Sequence, residues 1–439
     1  MTTWKTMLLM VMLIWLMSNC AVAQESLSLE SAIRIGLENN YSIRISKIDR
    51  QIAENNVSIG NAGMLPRIDA TASETGTITN ANQELTTGQI IDRTGATSTA
   101  FNAGIALNWT LFDGFKMFAS YDKFKEIQRV GDLVFRQTVE STLSQIISQY
   151  YDVIAQRNSL ETFQEAVSVS QKRLTVAKSR SELGADSQQK LLQATIDFNE
   201  DRGAFLRQKV VFERSKITLN QLLARNIDIE FEPTDSITLK PKFIIQDIRQ
   251  NAFANNTSLL IAMSNKSLAD YDLKLLNADW YPSLSFTSGL NYANTSSQFG
   301  VVTSARTLGF NYGITASVNL FEGWNLHRKS ENARLLVLSN EENITLVKQQ
   351  VESELTRSFR QYEAAIELVE LETENTLLTK QNVGISLERY TLGSINEFEF
   401  RQAQKTMVDA ENRTIKSLYE AKIAETELLR LSGNLLVNP

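Results

Sequence analysis

Two short strings, Leu111-Phe112-Asp113-Gly114 and Leu320-Phe321-Glu322-Gly323, lie 209 residues apart in a chain of 439. The same offset separates Leu183-Gly184 from Leu392-Gly393 and Gln193-Ala194 from Gln402-Ala403. Self-similarity at a fixed spacing means tandem copies of one supersecondary unit, and no reading of the fold is safe until the repeat is accounted for. The chain divides into a first repeat, 24–241, with a linker at 226–241, and a second, 242–439.

Residues 1–23 hold one lysine, an apolar run from Met7 to Met17, and Ala21-Val22-Ala23 ahead of Gln24. That layout is a secretory signal peptide with a small-x-small cleavage site. Cys20 is the single cysteine, and Asn19 stands where a lipoprotein signal wants a small residue, so cleavage after Ala23 and a mature chain without a thiol are expected. The mature chain then carries 43 basic against 50 acidic side chains, which argues against nucleic acid as a partner. Nothing downstream approaches the roughly 18 uncharged apolar residues of a spanning helix. Entry into a membrane would fall to strands.

Prolines mark the architecture, because proline ends helices and is tolerated at strand starts. Pro66 and Pro282 hold matching places, Pro233 and Pro241 lie in the linker, and Pro439 is terminal. Between them run long proline-free stretches with apolar residues at helical spacing, such as Leu143, Ile147, Tyr150 and Ile154 in the stretch from Gly114 toward Glu182. About 68 helical residues reach roughly 100 Å, too long for a compact globule. After Gly184, Leu191, Phe198, Phe205, Phe212 and Leu219 recur at every seventh position, which implies left-handed coiled-coil packing. Phe400, Met407, Thr414, Ala421 and Leu428 keep that register as a weaker stripe. An ordinary buried helical core also produces stripes; the length favours the coiled coil.

Elsewhere the period changes to two. Leu308, Phe310, Tyr312, Ile314, Ala316, Val318 and Leu320 alternate with Gly, Asn, Thr and Ser, and Phe101 to Leu111 repeats the pattern. Leu284, Phe286, Leu290 and Tyr292 give a third strand, and Ile68, Ala70 and Ala72 a fourth. The reading places strand hairpins at 66–111 and 282–320, with Glu74–Ala100 and Asn294–Thr307 as polar, solvent-exposed extracellular loops. Such alternation suits either the wall of an outer-membrane barrel or a soluble sandwich. The aromatics favour the barrel. Trp109, Trp280 and Trp324 all sit where a strand meets a helix, joined by Phe112, Tyr281 and Phe321, as at a membrane interface. Four strands cannot enclose a lumen, since roughly eight give an interior already filled by side chains. An open channel needs several copies; three would supply twelve strands, and the physics admits four copies as well.

The order helix, strand hairpin, long helix, Leu-Gly tip, long helix, twice over after a signal peptide, resembles the outer-membrane efflux protein (TolC) family. The resemblance runs from Leu27 to about Leu431. It rests on Asn39-Asn40 and Asn255-Asn256, Pro66 and Pro282, the two Leu-Phe-acid-Gly strings, and Arg389-Tyr390-Thr391-Leu392-Gly393 followed by Gln402-Ala403. It implies an α+β membrane protein with a long α-helical coiled-coil barrel and a transmembrane β-barrel, four strands per protomer and twelve in a homotrimer. Such a protein is the passive exit duct of a tripartite efflux pump or type I secretion system. Its partners would be a periplasmic adaptor, an inner-membrane RND or ABC transporter that supplies the energy, and outer-membrane lipid.

The resemblance also assigns residues. Leu183, Gly184 and Ala185 in the tip at 183–186, with Leu392, Gly393 and Ser394 in the tip at 392–395, match the turns that meet the adaptor. Glu399 matches an acidic ring at the periplasmic aperture; Gln402 stands where a second acid is expected, and Lys190 is Glu399's counterpart in the first repeat. Tyr390 matches a link that holds the resting aperture shut, but Ile395 replaces the expected basic partner. The gate is then left to coiled-coil packing or to ion pairs elsewhere.

No reactive constellation competes with this reading. The chain has no GxxxxGK[ST] phosphate loop, and its one histidine, His327, has no carboxylates at metal-binding spacing. No enzyme activity, cofactor or metal is expected. The alternative from another class is a non-conducting structural periplasmic coiled-coil protein or adhesin with a soluble strand domain. The cargo is not legible, because drugs, metals and polypeptides need the same wide polar lumen.

Overall fold

The computed structural model describes residues 25–184, 187–239, 243–298 and 302–435; the leader with Cys20, and Ala185 in the first tip, lie outside them. The first repeat contributes β1 (Glu25–Leu27), α1 (Leu29–Asn39), α2 (Tyr41–Asn55), β2 (Arg67–Glu84), β3 (Ile90–Asp113), α3 (Lys116–Glu182) and α4 (Gln188–Leu222). The linker of that repeat holds β4 (Phe231–Pro233), and the second repeat contributes α5 (Ile245–Asn255), α6 (Thr257–Ala278), β5 (Ser283–Ser297), β6 (Ser304–Ser317), α7 (Asn325–Thr391) and α8 (Glu397–Leu431). The helices α3 and α7 have 67 residues each, and α4 and α8 have 35 each. The 209-residue offset therefore recurs at every boundary of the long helices.

By packing, the chain forms two compact units, each drawing on both repeats. One gathers the chain up to Lys47, Val134–Leu260, and the chain from Val347 onward. In it β1 and β4 pair in parallel, Glu25 with Phe231 and Leu27 with Pro233. Two cores lie here in matching positions: Ile146, Tyr150, Val153 and Leu219 in one, Leu355, Phe359, Tyr362 and Leu428 in the other. The stripe that looked weaker from the sequence is the better buried, with Phe400, Met407, Ala421 and Leu428 all in the interior. The chain passes close at Gly36, where a Cβ would meet the terminal methyl of the Ile146 side chain.

The doubled asparagines also have a physical reason. Asn40 donates through Nδ2 to the Leu222 carbonyl at 2.8 Å while its Oδ1 accepts the Ser42 N–H at 2.8 Å. Asn256 does the same with the Leu431 carbonyl at 3.1 Å and the Leu259 N–H at 3.3 Å. Each caps the start of one helix and satisfies a carbonyl at the end of another, groups that a helix leaves without internal partners. The Tyr150 hydroxyl lies 2.8 Å from the Leu27 carbonyl and 2.6 Å from the Asp235 carboxylate. Burial first, then the bond to Asp235, pushes this phenol well up, so it stays a neutral donor that fastens β1 to the core.

The other unit, Ile48–Leu133 with Ile261–Leu346, carries an antiparallel sheet in the order β2-β3-β5-β6. Its register puts the predicted apolar residues on one face: Ile105 pairs with Ala70 and Leu290, Leu290 with Phe310, and Trp109 with Phe286. Asn, Ser, Thr and Gly fill the other face, as in Asn102 opposite Ser73 and Asn291 opposite Gly104. A bulge between Thr110 and Phe112 adds one residue, so Phe112 pairs with Leu284 and stays on the face that holds Trp109.

Two expectations about the strands need correction. The segment expected as a long loop at Glu74–Ala100 is mostly strand, because β2 runs to Glu84 and β3 starts at Ile90. Its run of threonines is good strand material on a pleated surface. At the other end, β6 stops at Ser317, short of Leu320.

Where strands give way to helices, the backbone is left-handed at two successive residues in each repeat, Gly114 and Phe115 (φ 69° and 69°) and Gly323 and Trp324 (φ 59° and 63°). A Cβ at Gly114 would strike the carbonyl oxygen of Ala278 and the side chain of Tyr281, whereas one at Gly323 meets nothing within 4 Å. Gly323→Ala should therefore cost only the left-handed strain of about 1–2 kcal/mol, and Gly114→Ala clearly more. Thermal unfolding of the detergent-solubilised protein measures both, and equal losses would contradict this account.

Candidate functional site at the hairpin tips

The helices α3 and α7 end alike. Gly184 (φ 72°) and Gly393 (φ 76°) end the long helices in the left-handed region that favours glycine. In the second turn the Ser394 N–H donates to the Arg389 carbonyl at 2.8 Å and the Gly393 N–H to Tyr390 at 3.0 Å, which satisfies the last carbonyls of α7. Leu183 and Leu392, beside the glycines, are 82% and 80% exposed.

Glu399 is tied to the start of α8. Asn396 caps the helix, accepting the Glu399 N–H at 2.9 Å and donating to the Glu399 carboxylate at 2.8 Å. A carboxylate in the first turn is favoured by the helix dipole. Tyr390 is buried, and its ring stacks on Phe400 with centroids 5.4 Å apart. The cation missing at Ile395 reaches Tyr390 from another helix. Arg180 of α3 lies 5.8 Å from the ring centroid and donates to the Thr391 carbonyl at 2.7 Å.

Deeper in, two groups of charges join the first hairpin to the second. Arg173, fully buried on α3, pairs through Nη2 with Asp197 of α4 and, at 3.1 Å, with Glu397 of α8. Arg401 of α8 reaches Asp201 at 2.7 Å and Glu200 at 3.2 Å on α4, and Gln404 adds a bond to the Ala166 carbonyl at 3.1 Å. Removing one partner from such a buried pair strands the other and costs about 3–5 kcal/mol. Burial lifts the Glu397 carboxyl above its usual range, with Arg173 opposing the rise, Asp197 adding to it and Lys190 opposing it.

A groove of about 660 Å³ opens between the starts of α4 and α8, lined in part by Lys190, Gln193, Glu397, Phe398, Arg401 and Gln402. Of the predicted aperture residues, Lys190 and Gln402 share this groove, Tyr390 lies in the interior, and Glu399 is not among the lining residues. The sequence reading missed Arg173, Asp197, Asp201, Arg401 and Gln404. One signal was available: Asp197 and Asp201 have the neutral residues Thr406 and Ala410 at the repeat offset. Among the described residues, no cluster of His, Cys, Asp and Glu is placed to hold a metal, and no helix is long and apolar enough to cross a membrane.

The predicted interface aromatics all lie in the sheet-bearing unit. The Trp109 Nε1–H donates to the Met64 carbonyl at 3.0 Å, Phe112 packs edge-on against Phe115, and Phe321 packs edge-on against Trp324. Trp280, Tyr281, Phe321 and Trp324 are all exposed.

An antiparallel sheet with one apolar face, joined in each repeat to a long helical hairpin, defines an outer-membrane channel class of fold. The chain belongs to the outer membrane efflux protein family, which it matches over residues 32–225 and 248–434. It is 20% identical over 409 residues to the outer membrane protein TolC of Vibrio cholerae serotype O1, covering 91% of this chain and 89% of that one. To the outer membrane efflux protein BepC of Brucella suis biovar 1 it is 19% identical over 413 residues, covering 93% and 86%. Its fold is similar to that of the Campylobacter jejuni CmeC outer membrane channel, with a TM-score of 0.78 at 16% identity over 93% of this chain and 86% of that one. Membership places the protein in the cell outer membrane, extending into the periplasm.

The raised pKa of Glu397 predicts a pH dependence. The folded chain holds this proton more tightly than the unfolded chain, so the group stabilises fully below its ordinary value near 4.5 and loses that contribution as pH rises through the folded value. The melting temperature of the wild type should gain on that of Glu397→Gln as pH falls from neutral toward 4.5. A difference that stays flat with pH would contradict the assignment.

Proposed function

We propose that three copies of this chain form a passive outer-membrane exit channel for a tripartite efflux pump or type I secretion system. One observation carries the reading: β2 and β6 each pair on one side only in the four-stranded sheet, whose apolar face is bare, with Phe310 69% and Ile314 67% exposed. A bilayer cannot satisfy an open strand edge, so the edges of neighbouring copies must meet. Twelve strands close a barrel with its polar face toward the lumen, and the family resemblance selects three copies. Exposed Leu192, Ile196 and Val210 on α4 and Leu371, Leu378 and Ile385 on α7 offer further surface for neighbouring helices in an α-helical barrel.

In this reading the repeats 24–241 and 242–439 each supply one hairpin of wall and one of tunnel after residues 1–23 are removed. Trp109, Phe112, Trp280, Tyr281, Phe321 and Trp324 sit at the lipid headgroups. Leu183, Gly184 and Ala185, with Leu392, Gly393 and Ser394, meet a periplasmic adaptor, and an inner-membrane RND or ABC transporter supplies the energy. Tyr390, Lys190, Gln402 and Glu399 border the gated aperture, where threefold repetition makes Glu399 a cation-favouring ring. The reading as a non-conducting coiled-coil protein or adhesin leaves the open edges unexplained and is not favoured.

Two substitutions test the assigned roles. Gly393→Trp should abolish export in cells lacking the native copy while leaving trimers and membrane insertion intact, and normal export would refute the adaptor contact. Glu399→Ala should reduce the cation preference of channels in planar bilayers; an unchanged reversal potential would remove it from the aperture.

A further inference from the structure

The two longest helices begin differently. In the first repeat Asp113 accepts the Met117 N–H at 3.2 Å, and Lys116 is matched by Asp279 at 2.8 Å. In the second, no acidic residue stands in the first turn of α7, and the Glu322 carboxylate accepts from the Asn319 side chain at 3.3 Å. His327, Arg328 and Lys329 follow, where the 209-residue offset puts Phe118, Ala119 and Ser120 in α3. A helix start carries partial positive charge, so cations there are disfavoured unless an anion accompanies them.

Lys329 lines a recess of about 490 Å³ together with Asp113, Asp279 and Glu322, so carboxylates of the chain answer its charge. Arg328 has no such company. It is exposed and makes no ion pair among the described residues; the acid one turn along, Glu331, pairs with Arg334 at 3.5 Å. What lies next to Arg328 is aromatic. Its N–H donates to the Trp324 carbonyl at 3.0 Å, His327 meets the Trp324 ring edge-on with centroids 6.4 Å apart, and Phe321 packs on Trp324 at 6.1 Å. Leu320, Phe321 and Trp324 are all exposed just beyond the end of β6. An unpaired guanidinium thus stands one helical turn from an exposed aromatic pair, at the end of the apolar sheet face.

We infer that the start of α7 binds the phosphate of an anionic phospholipid in the periplasmic leaflet of the outer membrane, one lipid per copy of the chain. Arg328 offers the planar fork that grips phosphate oxygens in pairs, His327 adds a ring N–H beside it, and Phe321 and Trp324 lie against the glycerol and the upper acyl carbons. A zwitterionic headgroup brings its own ammonium to the phosphate and leaves Arg328 less to attract; an anionic headgroup brings none. The matching stretch of α3, with exposed Phe115 and Phe118, has only Lys116, already paired with Asp279. The inference rests on the reading of these aromatics as residues at the lipid headgroups, and adds which lipid chemistry fastens them there.

Native mass spectrometry of the delipidated protein in a nonionic detergent tests this, with dioleoylphosphatidylglycerol, dioleoylphosphatidylcholine or inorganic phosphate added. The wild type should bind phosphatidylglycerol about tenfold more tightly than phosphatidylcholine, and Arg328→Gln should lose that preference. Arg334→Gln, an exposed arginine further along α7, should keep it within about twofold. Inorganic phosphate should not displace the lipid. Equal uptake of the two lipids by the wild type, an undiminished preference in Arg328→Gln, or its equal loss in Arg334→Gln would overturn the inference. So would displacement by inorganic phosphate, which would make the site one for free anions. Arg328→Gln particles that fall apart in lipid-free detergent would also overturn it, by placing Arg328 at a contact between copies. In each of these cases the wild-type mass still reports the number of chains. A single chain that discriminates the lipids through Arg328 would contradict the trimeric reading and uphold the lipid site.

Discussion

The constraint on which the rest depends is the pairing of backbone groups at the edges of one sheet. β2 and β6 each have a single neighbour in the sheet, and hydrocarbon offers no substitute for a missing hydrogen-bond partner. A four-stranded sheet with an apolar face cannot be stable in lipid by itself, nor can it close on itself around a lumen. In the proposed channel, oligomerisation is thus a condition of the fold rather than an addition to it. In that proposed assembly the long helices share the same symmetry, and their exposed apolar residues are consistent with the same neighbours.

Duplication solves this problem economically, and the two copies have diverged where their neighbours differ. The lengths of α3 and α7, and of α4 and α8, are the same, as a coiled-coil seam requires, since an insertion would shift every later side chain off the stripe. Side chains were freer. Gly36 makes room for Ile146, while Ala252 occupies the matching place in the second core. The buried charges Arg173, Asp197 and Asp201 exist in one copy only. Charge placed deep between helices is costly unless paired, and Arg173 and Asp197 are paired with each other across α3 and α4.

Much of the fold was legible because its signals are periodic. The heptad Leu191 to Leu219 and the alternation from Leu308 onward are local patterns, and each became the expected helix or strand. Strand ends were less legible, since Thr and Asn between Glu74 and Ala100 suit a loop or a solvated strand equally well. The site was legible only at its glycines, whose left-handed backbone has a sequence signature. The charge groups had only the repeat offset, which sets neutral Thr406 and Ala410 against Asp197 and Asp201: Arg173 meets Asp197 24 positions away and Glu397 224 positions away, too far apart for any local pattern to pair them. Arg180 was hidden for the same reason, supplying from α3 the cation that the tip motif led one to seek at Ile395.

The central claim is that closure of the sheet by other copies makes a conducting channel. It is tested most directly by measuring the mass of the detergent-extracted outer-membrane protein and recording the same preparation in planar bilayers. Three chains per particle and discrete single-channel openings are the predicted result. A monodisperse single chain, or trimers that never conduct under any applied voltage, would contradict it.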